Sequence, residues 1–315
     1  MTERVQKRAG AKNTFGARLR KDLIQNKSLY LIALPGLIYY LVFHYIPMSG
    51  IILAFQQYRP IGGLYDNPWV GLDNFRAFFN SYYFGRLVRN TFLLSFMGIV
   101  FTFPLPIILA IMLNELRSTR LKKTIQTVSY MPHFVSTVVI CGMVLDFVSD
   151  SGMITHVLRL FGYKGNNLLM YSEYFRTIYI ASDIWQQLGW NSIIYIAAIM
   201  GVDQELYEAA KIDGAGRFQQ ILHVTIPGIL PTIVIMLILR LGSLMSIGYE
   251  KIILLYNASI YETADVISTF VYRKGILQAD YSYSTAVGLF NSVINFTLLI
   301  LSNALSRRLS ETSLW

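Results

Sequence analysis

The chain has 315 residues, of which 54% are apolar or aromatic and only 14% charged, and its mean hydropathy is +0.46. Soluble domains carry about 25% charged residues, so the composition excludes an ordinary soluble globule. The net charge of +9 could serve a nucleic acid, but many of the basic residues flank apolar runs, so no nucleic-acid partner is expected.

Residues 1–28 form a basic arm containing Gly and Asn. The apolar run after it is too long for a signal-peptide core and lacks a small-x-small cleavage site. The arm is therefore expected to be a cytoplasmic tail, frayed or lying on anionic lipid. About 20 helical residues cross a hydrocarbon core of about 30 Å, and six runs reach that length. They cover 29–55, broken by Pro35 and Pro47; 91–113, with Pro104 and Pro106; 124–148, with Pro132; 177–200; 229–247; and 284–305. A segment in lipid must satisfy its own backbone hydrogen bonds, so each is expected to be a helix, kinked at its prolines. Barrel strands would alternate over about ten residues, and these runs are continuous. The expectation is an all-α membrane protein with six transmembrane helices. The single Cys141 reads as a core residue, and no thiol spacing suggests a metal or redox site.

Lys and Arg set the orientation. With the N-terminus inside, sixteen basic residues fall on the inner side and ten on the outer. The inner ones sit in short dense clusters: Arg117, Arg120, Lys122 and Lys123, then Lys211 and Arg217, then Arg307 and Arg308. Both termini are thus expected in the cytoplasm. The outer loops, about 35, 28 and 36 residues long, are rich in Tyr, Asn and Gly. Segment 152–161 reads as an amphipathic surface helix.

The loop between the fourth and fifth spans is the most informative stretch. Leu206, Tyr207 and Ala210 share one face of a short helix, with Asp203 and Glu205 at its start, where the helix dipole favours acids. Gly214 breaks that helix. Phe218, Ile221 and Leu222 repeat the apolar spacing, and Pro227 and Pro231 mark the entry to span five. The result is a helix–turn–helix whose small Ala209, Ala210 and Ala215 admit a neighbouring backbone. Glu208, Lys211, Asp213 and Arg217 offer charges to a partner.

With Glu208-Ala209-Ala210, Asp213-Gly214-Ala215, Ile226-Pro227 and Pro231 in place, the loop resembles the E-A-A loop of permease subunits of ATP-binding-cassette importers. Asn90-Thr91 at the start of span two and the six-span layout are similar to the maltose-type permease fold. The stretches 240–257, 262–267, 281–290 and 306–315 resemble a subfamily associated with complex-saccharide uptake. The resemblance covers about residues 30–315. It implies a first span with its outer loop over 29–90, a permease core over 91–305 with the coupling loop at 203–226, and a cytoplasmic tail over 306–315.

The resemblance also implies partners. The loop would dock on a cytoplasmic ATPase, with Glu208 as the ion-pairing acid, Ala209 and Ala210 as the close-packing face, Gly214 as the turn, and Asp213, Ala215, Arg217 and Pro227 completing the hook. Two ATPases would bind ATP and Mg, because this chain has no GxxxxGK[ST] phosphate loop. No cofactor, metal or catalytic group is expected in the chain itself. A second, related permease would complete a heterodimeric pore. An extracellular solute-binding protein would deliver a carbohydrate across a bacterial cell membrane.

Within the spans, Asp183, Gln187, Trp190 and Asn191 make a polar and aromatic stripe on span four. Arg240 and Ser243 lie on span five, with Ser246 and Glu250 a step beyond, and Asn291 and Asn295 on span six. Ionisable groups are costly in lipid and usually face a cavity. These residues are expected to line a saccharide path, the competing reading being polar contacts between helices. Arg240 is alternatively a structural charge, with Asp183 as a candidate partner. His44 and His133 are expected to be structural, since no second ligand sits at metal spacing. The alternatives are an importer of amino acids, peptides or polyamines, a receptor or scaffold, and an intramembrane enzyme using His133 with Asp146 or Asp183.

Overall fold

A computed structural model describes residues 22–60, 63 and 66–309. Residues 1–21 of the basic arm and 310–315 of the expected C-terminal tail lie outside them. Among the described residues every regular element is helical, apart from an isolated antiparallel bridge between Gln56 and Trp69. The chain divides into two compact units, one ending at Ile52 and the other starting at Leu53.

The first unit is built on α1 (Lys27–Tyr40), which runs through a wider turn at Leu41–Tyr45 into a tighter helical stretch, Ile46–Phe55. No residue of α1 is buried. A helix apolar on every side with no buried residue is suited to hydrocarbon rather than water.

The second unit holds α2 (Asp73–Phe79), α3 (Phe84–Met97), α4 (Pro104–Glu115), α5 (Thr119–Tyr130), α6 (Thr137–Val148), α7 (Met153–Leu160) and α8 (Ser172–Met200). After these come α9 (Gln204–Ile212), α10 (Arg217–Gln220), α11 (Ile226–Gly242), α12 (Tyr249–Leu255), α13 (Tyr261–Ala264), α14 (Ile267–Tyr272) and α15 (Tyr281–Leu309). Helix α8 is central, packing on α4, α5, α11 and α13, while α15 packs on α11, α14 and α2. Apolar surface gains little by leaving lipid for protein, so close approach and polar contacts must hold such a bundle. Both are present. A Cβ at Gly189 would stand 2.2 Å from the Ser129 carbonyl oxygen, so α8 meets α5 backbone to backbone only because that Cβ is missing. A Cβ at Gly242 would stand 2.5 Å from Leu299 Cδ1 where α11 meets α15.

Among the described residues five helical stretches are long and apolar enough to cross a membrane: Lys27–Phe55, Phe84–Glu115, Thr137–Leu160, Arg217–Gly242 and Tyr281–Arg308. Helix α8 has 29 residues, about 43 Å at 1.5 Å per residue. Its polar stripe keeps it outside that set.

Two expectations need correction. The span expected over 124–148 is not one helix. It breaks at Met131–Ser136, where Pro132 cannot donate a backbone hydrogen bond, and α6 restarts with the Ser136 hydroxyl accepting from Val139 N at 3.4 Å. The long segment after span five is not an open loop either. It folds into α12, α13 and α14 and buries Ile252, Leu255, Ile260, Val266, Ile267 and Phe270. Segment 152–161 does hold a helix, α7.

Asp265 anchors this segment. Its carboxylate, fully buried, accepts from Arg86 Nη2 at 3.2 Å, Arg273 Nη2 at 2.7 Å and Thr269 Oγ1 at 2.9 Å. Asn90 donates to the Glu262 and Asp265 carbonyls at 2.8 and 3.0 Å and accepts from Arg176 Nη2 at 3.0 Å. Thr91 accepts from Ile267 N at 3.0 Å. Asn90 and Thr91, singled out in the sequence, thus lock α3 to α8 and to the segment carrying α13 and α14.

Candidate functional site

Helix α8 presents Tyr179, Asp183, Gln187 and Asn191 at intervals of four, which puts them on one face. That face looks into a cavity of about 690 Å³, also walled by Ser95, Gly98 and Thr102, by Arg240 of α11, by Ser243 and Leu244, and by the chain from Ser246 to Lys251. The size falls within the range of ligand pockets, about 300–1,000 Å³. The lining mixes hydroxyls, amides, aromatic rings and four charges, a chemistry suited to a polar guest inside an apolar bundle.

A broken helix supplies one wall. Helix α11 ends at Gly242 and α12 begins at Tyr249, with six residues between them. Irregular backbone at membrane depth is tolerated where it is buried in protein or lines a wet cavity. Asn295 of α15 splints the break: its Oδ1 accepts from Met245 N at 2.8 Å and its Nδ2 donates to Ser246 Oγ at 2.7 Å. The Ser243 hydroxyl caps the end of α11, donating to the carbonyls of Leu239 and Arg240, each at 3.2 Å.

Of the eight residues expected along a path, the cavity gathers five: Asp183, Gln187, Asn191, Arg240 and Ser243. Trp190, Asn291 and Asn295 are not in its walls. Trp190 is one residue off the ladder of four, which turns its ring about 100° from Asn191. The ring stacks on His133, with centroids 4.2 Å apart and planes within 4°, and meets Phe134 edge-on. His133 Nδ1 in turn donates to Gln187 Oε1 at 2.9 Å. Asn291 has a buried Oδ1 without a hydrogen-bond partner.

The acid Asp183 pairs with Lys251 at 3.4 Å rather than with Arg240. Lys251 was hidden from sequence reasoning because it falls in a presumed outer loop. Tyr179 was legible as the next step down the ladder from Asp183. Gln186 also lines the cavity, from a buried position next to the ladder. Among the described residues no group of His, Cys, Asp and Glu is arranged to hold a metal.

The second feature is the hook over 203–226. Asp203 Oδ1 accepts from Glu205 N at 3.0 Å and starts α9. Helix α9 ends at Ile212, and Gly214 turns the chain at φ +78°, a left-handed conformation that glycine adopts without strain. Ala215 N then donates to the Ala210 carbonyl at 2.9 Å, and Gln220 Nε2 to the Ala215 carbonyl at 2.8 Å. The Tyr207 hydroxyl bonds Thr225 Oγ1 at 3.0 Å and ties α9 to the root of α11, where Pro227 sits in the first turn. Ile212 is 87% exposed and Phe218 72%, with Leu206 and Leu222 exposed beside them. Among the described residues Glu208, Lys211, Asp213 and Arg217 make no ion pair. The hook therefore presents unburied apolar side chains ringed by uncommitted charges.

The comparisons with known proteins agree on the class. Residues 102–311 match the family described as binding-protein-dependent transport system inner membrane component. The polygalacturonan/rhamnogalacturonan transport system permease protein YteP of Bacillus subtilis (strain 168) is 44% identical, over 95% of this chain and 93% of its own. A bacterial ABC transporter involved in the import of the acidic polysaccharide alginate has a chain 44% identical, with a TM-score of 0.85 over 93% of this chain and 99% of that one. A bacterial alginate ABC transporter in complex with an alginate pentasaccharide-bound periplasmic protein has one 43% identical, with a TM-score of 0.86 over 94% and 100%. The chain belongs to the binding-protein-dependent inner membrane component family, and it is an integral membrane permease subunit of an ABC importer rather than an enzyme.

Proposed function

We propose that the chain forms one half of a heterodimeric path for a carbohydrate, an oligo- or polysaccharide handed over by an extracellular solute-binding protein. The observation that carries this reading is the polar cavity, in which Gln187, Asn191 and Ser243 offer amides and a hydroxyl to sugar hydroxyls and Tyr179 offers a ring. The saccharides named for the similar proteins support it.

In this reading α8 also crosses the membrane, as the fourth of six spans, and both termini are cytoplasmic in a bacterial cell membrane. Residues 1–28 are a tail, 29–90 the first span and its outer loop, 91–305 the permease core, and 306–315 a second tail. The hook at 203–226 docks on one of two separate ATPases that bind ATP and Mg. The exposed Ile212 and Phe218 fill an apolar groove there, while Glu208 and Arg217 pair with opposite charges. Closure of the ATPases pulls on the hook through Tyr207 and Pro227 and tilts α11, which carries Arg240 of the cavity wall.

The test is ATP-driven uptake by proteoliposomes holding this chain, its permease mate, the ATPases and the binding protein. Labelled oligosaccharide should accumulate, and amino acids and peptides should not. Uptake of a peptide or amino acid, with none of any saccharide, would overturn the cargo assignment.

A further inference from the structure

We infer that Arg240 is the group through which the cavity recognises a carboxylate, so that the path selects uronate-bearing saccharides over neutral ones. This rests on the carbohydrate reading above and adds the chemical class. Four charged side chains line the cavity: Asp183, Arg240, Glu250 and Lys251. Lys251 is committed to Asp183 at 3.4 Å, with its Nζ 5.3 Å from the centre of the Tyr179 ring and only 9% of its side chain exposed. Arg240 and Glu250 remain, both exposed, and neither has an ion-pair partner among the described residues. A base at membrane depth without an internal acid points to a guest that supplies one.

The seat of Arg240 is built on the opposite helix. A Cβ at Gly98 would stand 3.3 Å from Arg240 Nη2, so a larger residue would press on the guanidinium. At Gly98 the chain also leaves α3 for a wider helical turn, Gly98–Thr102, and the Gly98 carbonyl is already taken by Thr102 Oγ1 at 2.6 Å. The guanidinium thus rests against backbone without being consumed by it. Arginine suits this role because its planar fork grips a carboxylate with two parallel hydrogen bonds. A neutral polyol makes no use of that charge. Glu250 orients the guest, accepting from hydroxyls and repelling a carboxylate set the wrong way round, while Gln187, Asn191 and Ser243 bind the remaining hydroxyls. Polygalacturonan and alginate, named for the similar proteins, are both polyuronates.

The experiment is equilibrium binding to the complete importer, both permeases and the ATPases, purified in nanodiscs. The binding protein is left out so that its own selectivity does not enter. The probes are a labelled trigalacturonide and the same trisaccharide with its carboxyls reduced to alcohols. The wild type should prefer the uronide by roughly ten-fold, the effect of one charge-assisted hydrogen bond. Arg240→Gln should abolish that preference and leave affinity for the reduced sugar within two-fold. Arg240→Lys, which keeps the charge and loses the fork, should retain part of it and carries the test if the glutamine variant fails to assemble. An unchanged preference in the variants, or equal loss of both sugars, would overturn the inference. A wild type that binds both sugars equally would overturn it while leaving the carbohydrate reading standing. A wild type that binds neither sugar but binds a peptide would remove the carbohydrate reading and this inference together.

Discussion

Lys251 Nζ and Asp183 Oδ1 stand 3.4 Å apart, joining the segment after α11 to the middle of α8 across the cavity wall. The pair is asymmetric: 9% of the lysine side chain is exposed against 26% of the aspartate. Removing one partner of a buried pair costs about 3–5 kcal/mol, because the other charge is left without compensation. Asp183→Asn strands the better-buried charge and should approach that range. Lys251→Met leaves an acid that cavity water can reach and should cost less. Combining the two should recover most of the loss. Thermal melts of the purified complex decide this, and equal shifts for the two single variants would mean that both charges are solvated.

Gly214 holds φ +78° between α9 and α10. A β-branched residue there is strained, so Gly214→Val should misalign the Ala215 N to Ala210 O bond and lower ATPase recovery on co-purification by several-fold. Gly214→Asn should do less harm, since Asn tolerates this conformation. Full recovery with valine would show that the turn does not set the hook for its partner.

Glu208 is exposed and makes no ion pair within the described residues. Reversing its charge with Glu208→Lys should leave membrane insertion intact. It should sever ATP hydrolysis from uptake, with basal hydrolysis continuing while transport falls at least ten-fold. Transport at the wild-type rate would contradict an ion-pairing role in docking.

The outline of the hook was readable because its signals are local: acids at 203 and 205 that mark the start of α9, a glycine at 214 that breaks it, a proline at 227 in the first turn of α11. The ladder on α8 was readable for the same reason, since a period of four is a property of one helix. What escaped depends on distant chain. Nothing near Lys251 announces that its partner is 68 residues away. Asn295 looked like a path residue because its role, splinting the break after Gly242, exists only once α15 lies beside α11. In the sequence Pro132 signals a kink rather than a break. Proline marks the place of a distortion, but the Ser136 cap that restarts the helix decides its extent.

Asp265 is fully buried between Arg86 and Arg273. Asp265→Asn should cost about 3–5 kcal/mol by leaving two like charges against a neutral amide. It should also loosen the segment that carries α13 and α14. Hydrogen exchange provides the check: amides of 261–273 should lose protection while those of α9 keep theirs. Unchanged protection at 261–273 would assign that segment's order to its apolar residues alone.

Trp190 and Asn191 are neighbours in sequence with different surroundings. Asn191 lines the cavity, whereas the Trp190 ring stacks on His133 outside its walls. Losing one side-chain hydrogen bond to a guest costs about 0.5–1.5 kcal/mol, so Asn191→Ala should weaken saccharide binding roughly three- to ten-fold. Trp190→Ala should instead lower stability by about 0.5–1.5 kcal/mol beyond its lost burial, the contribution of an aromatic stack. Saccharide affinity should stay within two-fold, because Gln187 keeps its bond to His133. Trp190→Phe should restore most of the stability. Binding to the complete importer and its thermal melt separate the two residues. An affinity loss in Trp190→Ala as large as that in Asn191→Ala would mean that the indole ring touches the cargo, and that the path extends past the wall at Gln187 to His133.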